Sequence, residues 1–480
     1  MEIPLAETNA ETIYDVAVIG GGPAGYTAAI RGAEYGLKIA LIDASPKLGG
    51  TCLHVGCIPT KALLFNAEIW DHLKQAAEYG ITGIGTPALD WSAVLTRKNA
   101  IISRHVKGLE FLMKKHRIAV FSGFGRLSGP AKDGVHTVDV DASGVKSAAK
   151  AKNVIVATGS EAKMLPGLKT DATILTNVEV LSLDAPPKSL VVIGAGAVGV
   201  EFASIFRSFG TEVTILEFLP RVVPVEDEEI SKELARVFKK RGINVNTGAK
   251  VEKVEKTENG VRVSYTDANG NAQVNEAEKV LVAVGRAGRT ADIGLEKTKV
   301  ELERGLVKVG EAQETAEPGV FAIGDIVAGL PQLAHVGAMS GMVAMAKIAG
   351  RKYRPVRHDR IPSCTYTEPQ IGSAGLTEAQ AKEKGFEIKV GKFPFAGNSK
   401  ATIVGSHDGF VKIVADAKYG EILGVHIIGP QATETIAEAV AVMELEGTVE
   451  EMMFAIHAHP TLSEAMLDGY AAVEGMAINA

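Results

Sequence analysis

The sequence predicts an α/β chain in which one doubly wound βαβ fold is built twice and an α+β domain follows. Three observations predict this. The first is an internal repeat: "YDVAVIGGGPAGYTAAIRGAEYGLKIALID" (Tyr14 to Asp43) and "LVVIGAGAVGVEFASIFRSFGTEVTILE" (Leu190 to Glu217) share one pattern. The second is the placement of 52 glycines in 480 residues, which cluster after apolar runs rather than spreading as in a linker. The third is the last stretch, of about 120 residues, where strand patterns ("FVKIVAD", "GEILGVHIIG") alternate with a helix pattern ("TETIAEAVAVMELEG").

Each repeat opens with a β-branched apolar run, read as a buried parallel strand. G-x-G-x-x-G follows, as Gly20, Gly22 and Gly25 and again as Gly194, Gly196 and Gly199. An Ala-rich helix and a second strand come next, ending in Asp43 or Glu217, 23 residues after the first glycine in both copies. Alone, the glycine pattern is weak; inside strand–turn–helix–strand with a terminal acid it is a Rossmann-like fingerprint. The first glycine makes the tight turn, the second lets backbone approach a pyrophosphate, and the third lets helix pack on strand. The helix N-terminus favours the anion, and the acid accepts from ribose hydroxyls. Two copies imply two dinucleotides, and so electron transfer between them.

Three shorter strands break at glycines: "NVIVATGS" with Thr158, Gly159 and Ser160, "KVLVAVGRAGR" with Gly285, and "GVFAIGDI" with Asp325. Strand ends are where ligands sit in doubly wound sheets. The resulting division is residues 1–158 and 159–284 for the two nucleotide folds, 285–355 for a segment returning to the first, and 356–480 for the last domain. The basic, Pro-containing "RKYRPVRHDRIPS" is the junction.

Composition narrows the class. Three cysteines make no disulfide framework, which points to a reducing compartment such as the cytoplasm. "MEIPLAETNAETIYD" has neither the apolar core of a secretory signal nor the Arg-rich pattern of a transit peptide, although a processed organelle-matrix chain would have lost one. No apolar run reaches the ~18 residues of a membrane span. The net charge of -6, with acids and bases mixed, gives no sign of nucleic acid or membrane as a partner.

"TCLHVGCIPTKALL" places Cys52 and Cys57 directly behind the first fingerprint. Two thiolates with His54 alone nearby do not make a tetrahedral zinc site. In a regular helix their Cα atoms would stand roughly 8.7 Å apart, beyond the ~7 Å a disulfide spans. The local backbone must therefore depart from a helix; Gly56 permits this, Pro59 blocks a regular bond to Val55, and "TKALL" continues as helix. A cysteine near that helix start has its thiolate favoured, so the pair reads as a redox dithiol. The third cysteine, Cys364, is read as a buried small hydrophobe.

"GGTCLHVGCIPTKALL" strongly resembles the redox segment of the pyridine nucleotide-disulfide oxidoreductases. The resemblance extends over nearly the whole chain, through "ATGS", "IGD" and the closing "HAHPTLSEA". His54, Thr60 and Asp43 stand where the family usually has Asn, Ser and Glu; none of these supplies the chemistry. By this resemblance the first fold holds FAD, the second holds NAD, and the last domain forms a homodimer. It also implies that Cys52 and Cys57 form the redox disulfide, with His459 as base and Glu464 orienting it. On spacing alone, a histidine near a C-terminus is more often structural, and His457 keeps that reading. Lys61 resembles the flavin-side lysine, paired with Glu201 of "AVGVE". The remaining cofactor contacts carry over to Gly50, Thr51, Gly123, Val251, Gln332, Leu333, Ala334 and His335.

Within the family the residues look most like the branch that oxidises dihydrolipoamide, borne on a lipoyl domain of a 2-oxo acid dehydrogenase complex with an acyltransferase core. The substrate thiolate would attack Cys52, and electrons would pass from Cys57 through FAD to NAD⁺. Among rivals, a glutathione-type reductase uses NADP and would want Arg beside Glu217, where only "FLPR" follows. A mercuric reductase would want a C-terminal cysteine pair, and "EGMAINA" has none. A flavin-bound sensor or scaffold without turnover would not need the Cys52, Cys57, His459 and Glu464 set.

Overall fold

The computed structural model describes residues 12–479. Most of the acidic N-terminal stretch lies outside them. The described chain forms two compact units. One comprises the residues through Ala62 together with Leu95–Lys163 and Arg286–Val356; the other comprises Leu63–Val94, Met164–Gly285 and the residues from Arg357 on.

In the first unit the strand Ile13–Ile19 pairs parallel with Ile39–Asp43 on one side and Val145–Val156 on the other. Ala119–Ser122 extends the sheet beyond Ile39–Asp43. On its other edge Val145–Val156 serves two partners in turn: its first part pairs antiparallel with His136–Ala142, and Val154 to Val156 pair parallel with Val320–Ala322. Side chains alternate across the sheet. Val16 and Val18 pack with Ala28, Ala29 and Met345 on the helical face, while Ala17 and Ile19 pack with Leu127, Val138 and Val140 on the other. Burial on both faces is why this strand reads as an unbroken apolar run.

The second unit holds the repeat. Five parallel strands lie in the order Ile243–Thr247, Glu212–Glu217, Ser189–Ile193, Lys279–Val282, Ile174–Leu175. The antiparallel trio Lys250–Thr257, Gly260–Thr266 and Ala272–Ala277 contributes Val261, Val263 and Tyr265 to the core beside that sheet. The last domain is a five-stranded antiparallel sheet, with Ile422–Gly429 between Gln370–Gly375 and Phe410–Asp416. The helices Ala432–Glu444 and Glu464–Val473 supply Ile436, Ala439, Met466 and Tyr470 to the core built on this sheet. Lys412 ties the two parts of the unit together: its buried ammonium lies 3.0 Å from Asp227 and 2.8 Å from both Glu229 and Glu378. The architecture is the one expected, α/β with two doubly wound sheets and an α+β domain.

Candidate active site

Gly20 follows the first strand at φ +111°, and a Cβ placed on it would lie 2.2 Å from the Ala157 carbonyl oxygen. A Cβ on Gly25 would lie 1.8 Å from the Gly20 carbonyl oxygen, so the helix Pro23–Glu34 approaches the turn as only glycine allows. Asp43 turns back on this loop: Oδ2 accepts from the Gly21 amide at 2.5 Å and Oδ1 from the Ser45 amide at 2.7 Å. Burial holds the Asp43 carboxyl above its ordinary pKa despite those amides. The second copy repeats the arrangement. Gly194 sits at φ +104° with a Cβ position 2.4 Å from the Ala283 carbonyl, and a Cβ on Gly199 would meet the Gly194 carbonyl at 2.0 Å. Glu217 accepts from the Ala195 amide at 2.5 Å and the Leu219 amide at 2.7 Å. A carboxylate has about four acceptor sites, so each acid keeps capacity for ribose hydroxyls. Around Gly196 a Cβ would meet nothing within 4 Å, which leaves the start of the helix Ala197–Ser208 open to a pyrophosphate. The residues present fit two dinucleotides.

The redox segment lies over the first of these turns. The Gly49 amide donates to the Gly21 carbonyl at 2.8 Å, and a Cβ on Gly50 would fall 2.7 Å from the Gly22 Cα. Thr51 and Cys52 belong to the short helix Gly50–Val55, and Gly56 breaks it. The next helix, Cys57–Lys74, begins at Cys57 itself, with Pro59 inside its first turn. The sequence reads "TKALL" as the helix that continues after the break at Gly56 and Pro59; the helix in fact already includes Cys57 to Pro59. The earlier start gives Cys57 the positive end of an 18-residue helix. Gly56 is required there, since a Cβ on it would lie 3.2 Å from the Cys52 Cα and 2.8 Å from the Thr51 carbonyl oxygen. Hydrogen bonding to Cys57 and burial push the Cys52 thiol up, while the Lys61 charge pulls it down. Cys364 corrects an expectation: it is half-buried at the edge of the C-terminal core, in the short edge strand Ser363–Thr365, rather than fully buried.

The three strand ends singled out in the sequence meet. Ser160–Ala162 pairs antiparallel with Arg286–Gly288, and the Thr158 hydroxyl donates to the Arg289 carbonyl at 2.7 Å. The Ser160 hydroxyl donates to Asp325 at 2.5 Å, and the Gln332 side chain donates to the Asp325 carbonyl at 3.0 Å. Leu333 directly precedes the helix Ala334–Ile348, which places Ala334 and His335 in its first turn. Gly123 donates to the Asp43 carbonyl at 2.8 Å. Gly159 and Gly285 both have positive φ, while Val251 sits in the strand Lys250–Thr257. Arg286 is the residue sequence reasoning missed; its only signal was its place directly after Gly285.

In the last domain His459 Nδ1 lies 3.0 Å from Glu464 Oε1, and Glu464 Oε2 accepts from the Thr461 amide at 2.8 Å. Burial alone would raise the Glu464 carboxyl, but the Thr461 amide and the His459 ring outweigh it and hold the carboxyl low. The His459 side chain is 69% exposed, so its Nε2 is accessible. His457 differs: its side chain is 7% exposed, held by the Ala455 carbonyl and by Glu438. Glu201 is buried on the helix after the second fingerprint and accepts from the Tyr366 amide at 3.0 Å.

Two dinucleotide turns with a dithiol over one of them define a class, the flavin-linked disulfide oxidoreductases, and the comparisons agree. The family profile described as pyridine nucleotide-disulphide oxidoreductase matches residues 14–341, and that family's dimerisation domain matches residues 361–469. The chain belongs to this family, and its cofactors are FAD and NAD. It is 42% identical to a dihydrolipoyl dehydrogenase of Bacillus subtilis over 475 residues, covering 98% of this chain and 99% of that one. It is 42% identical to one of Rhizobium etli, covering 97% and 99%. Among solved structures it is similar to LpdA from Mycobacterium tuberculosis, with a TM-score of 0.87, 27% identity, and 95% and 99% coverage. Among the described residues, no helix is long and apolar enough to cross a membrane.

Proposed function

We propose that this chain oxidises protein-bound dihydrolipoamide to lipoamide with NAD⁺ as acceptor, the reaction for which its curated relatives are named. The observation that carries the reading is the dithiol: Cys52 against Cys57 at a helix start, laid on the first dinucleotide turn. In this reading residues 1–158 and 285–355 hold FAD, 159–284 hold NAD, and 356–480 pair with a second copy. A substrate thiol gives its proton to His459 Nε2, with Glu464 holding Nδ1 and stabilising the charged ring. The thiolate attacks Cys52, the Cys52–Cys57 bond breaks, and Cys57 leaves as thiolate. The second substrate thiol then closes lipoamide and releases Cys52. Bound FAD supplies two-electron transfer between the dithiol and NAD⁺. Lys61, on the helix that starts at Cys57, lies close enough to the cysteines for its charge to pull the Cys52 thiol down. The lipoyl domain of a 2-oxo acid dehydrogenase complex, built on an acyltransferase core, would bring the substrate. The cysteine-poor composition and bacterial relatives support a cytoplasmic setting.

His459 lies about 400 residues after the cysteines in the dimerisation domain. Two-fold symmetry would make its delivery to the partner's disulfide reciprocal. Mixing subunits carrying Cys52→Ser with subunits carrying His459→Ala tests both the residues and the dimer. Random pairing makes half the dimers hybrids with one intact site, so dihydrolipoamide turnover should recover to about a quarter of wild type. Hybrids verified by mass spectrometry that stay inactive would overturn the shared site, and wild-type enzyme that turns over glutathione disulfide instead would overturn the substrate.

A further inference from the structure

The steps above do not use the half-buried Arg286. Arg286 begins the strand Arg286–Gly288, opposite Ser160–Ala162. Its Nε donates to the Ser160 hydroxyl at 2.7 Å, and Nη2 donates to the Ser160 carbonyl at 2.9 Å. That hydroxyl has a single proton, which goes to the Asp325 carboxylate at 2.5 Å. The arrangement is a directed chain: with a lone pair of the hydroxyl occupied by Nε, its O–H is aimed at Asp325. Burial lowers the Arg286 pKa, and the negative charges of Asp325 and Cys57 pull it back, against the repulsion of Arg289. The guanidinium's charge thus acts first on the Asp325 carboxylate and, more weakly, on the Cys57 thiol. Lys61 on the helix that starts at Cys57 and the half-buried Tyr26, packed in the core with Leu53 and Ile58, are further titratable groups that face the cysteines.

We infer that Arg286 is a positioning residue of the flavin–dithiol site: through Ser160 it sets the direction of the Asp325 carboxylate, and its fixed charge favours the Cys57 thiolate. The inference rests on the reading of Cys57 as the flavin-side thiol and of Asp325 as a cofactor contact. Arginine suits both tasks. It stays charged at any working pH, and its planar fork grips hydroxyl and carbonyl in a fixed geometry that a lysine's rotating ammonium does not reproduce.

Three full-length holoenzyme variants test this: Arg286→Gln, Arg286→Lys and Ser160→Ala. Two readouts are followed besides thermal unfolding. One is FAD retention, from the fluorescence of released flavin. The other is the pH midpoint of the long-wavelength absorbance that a thiolate against oxidised flavin gives after two-electron reduction. An opposite charge nearby lowers a thiol pKa by about one unit or more, so Arg286→Gln should move the midpoint up by about one unit, a tenfold loss of thiolate, and FAD should leave about tenfold faster. Arg286→Lys should restore the midpoint but not the retention, because the charge remains and the fork does not. Ser160→Ala should loosen FAD and leave the midpoint in place. Should Arg286→Gln fail to fold, the Lys and Ala variants still decide the matter by this opposite pattern. A lowered unfolding temperature with both readouts at wild-type values would make Arg286 a structural tie and overturn the inference. Wild-type protein that holds no flavin would instead sink the reading beneath it.

Discussion

Residues 20–25 and 194–199 build the same turn on the same contacts: positive φ at the first glycine, a carbonyl 2.2 or 2.4 Å from its Cβ position, and a third glycine pressed on the first. They differ in what lies over them. At the second position the first turn has Gly21, where a Cβ would meet Leu48 Cδ2 at 2.5 Å; the second turn has Ala195. At the third position Gly22 is faced by the Cα of Gly50, while Gly196 faces nothing within 4 Å. Residues 48–50 lead straight into Cys52. The glycines common to both copies therefore serve the dinucleotide fold, whereas Gly21 and Gly50 serve to seat the redox segment on one copy. A roofed turn suits a resident cofactor that faces the dithiol, and an open turn suits one that arrives and departs.

The largest effect should come where the copies agree. Gly25→Ala and Gly199→Ala each force a Cβ against backbone that cannot yield, at a cost of about 3 kcal/mol or more. Urea unfolding should show both losses, and tolerance of either substitution would mean the two turns are not equivalent. A smaller and asymmetric effect is expected at the second position. Gly21→Ala must displace Leu48, so we expect about 1–3 kcal/mol of lost stability together with weaker flavin retention. The reverse change, Ala195→Gly, should cost less than about 1 kcal/mol and spare the flavin. Equal penalties at Gly21 and Ala195 would remove the roof from the comparison. The smallest effect on folding belongs to Gly196→Ala, whose Cβ enters open space. Its melting temperature should match wild type while the KM for NAD rises about tenfold, as expected where a contact to a charged group worth about 1.5 kcal/mol is blocked. A changed melting temperature with an unchanged KM would reverse the assignment of that space.

What the sequence made legible was local. Positive φ and close backbone approach are properties of a few adjacent residues, so the turns could be read directly, as could Asp43 and Glu217 at the ends of their strands. His459 and Glu464 lie five residues apart and meet within one short stretch. What stayed hidden depended on residues distant in sequence. The Arg286–Ser160 bond joins positions 126 residues apart, and nothing around either position announces it. Cys364 reads as a small apolar residue wherever it is placed; only its position in an edge strand leaves it half-buried. The start of the helix at Cys57 was obscured because Gly56 and Pro59 signal a break without fixing which residue resumes the helix.

The shared strand Val145–Val156 has a consequence for how the protein is made. Val154 to Val156 pair with Ala17 to Ile19 on one edge, but on the other edge they wait for Val320–Ala322, and residues 164–285 are synthesised between. The five-stranded parallel sheet of the second fold lies entirely between Ile174 and Val282, so it can close on the ribosome while the first fold is still missing a strand. Assembly of the two dinucleotide folds therefore runs against chain order: the one begun first is completed after the second. During that interval an apolar strand edge stands unpaired on the nascent chain, an invitation to intermolecular pairing that chaperones or a fast-folding insert must blunt. In the proposed reading, in which residues 1–158 and 285–355 hold FAD, the flavin site is complete only once the third segment has emerged.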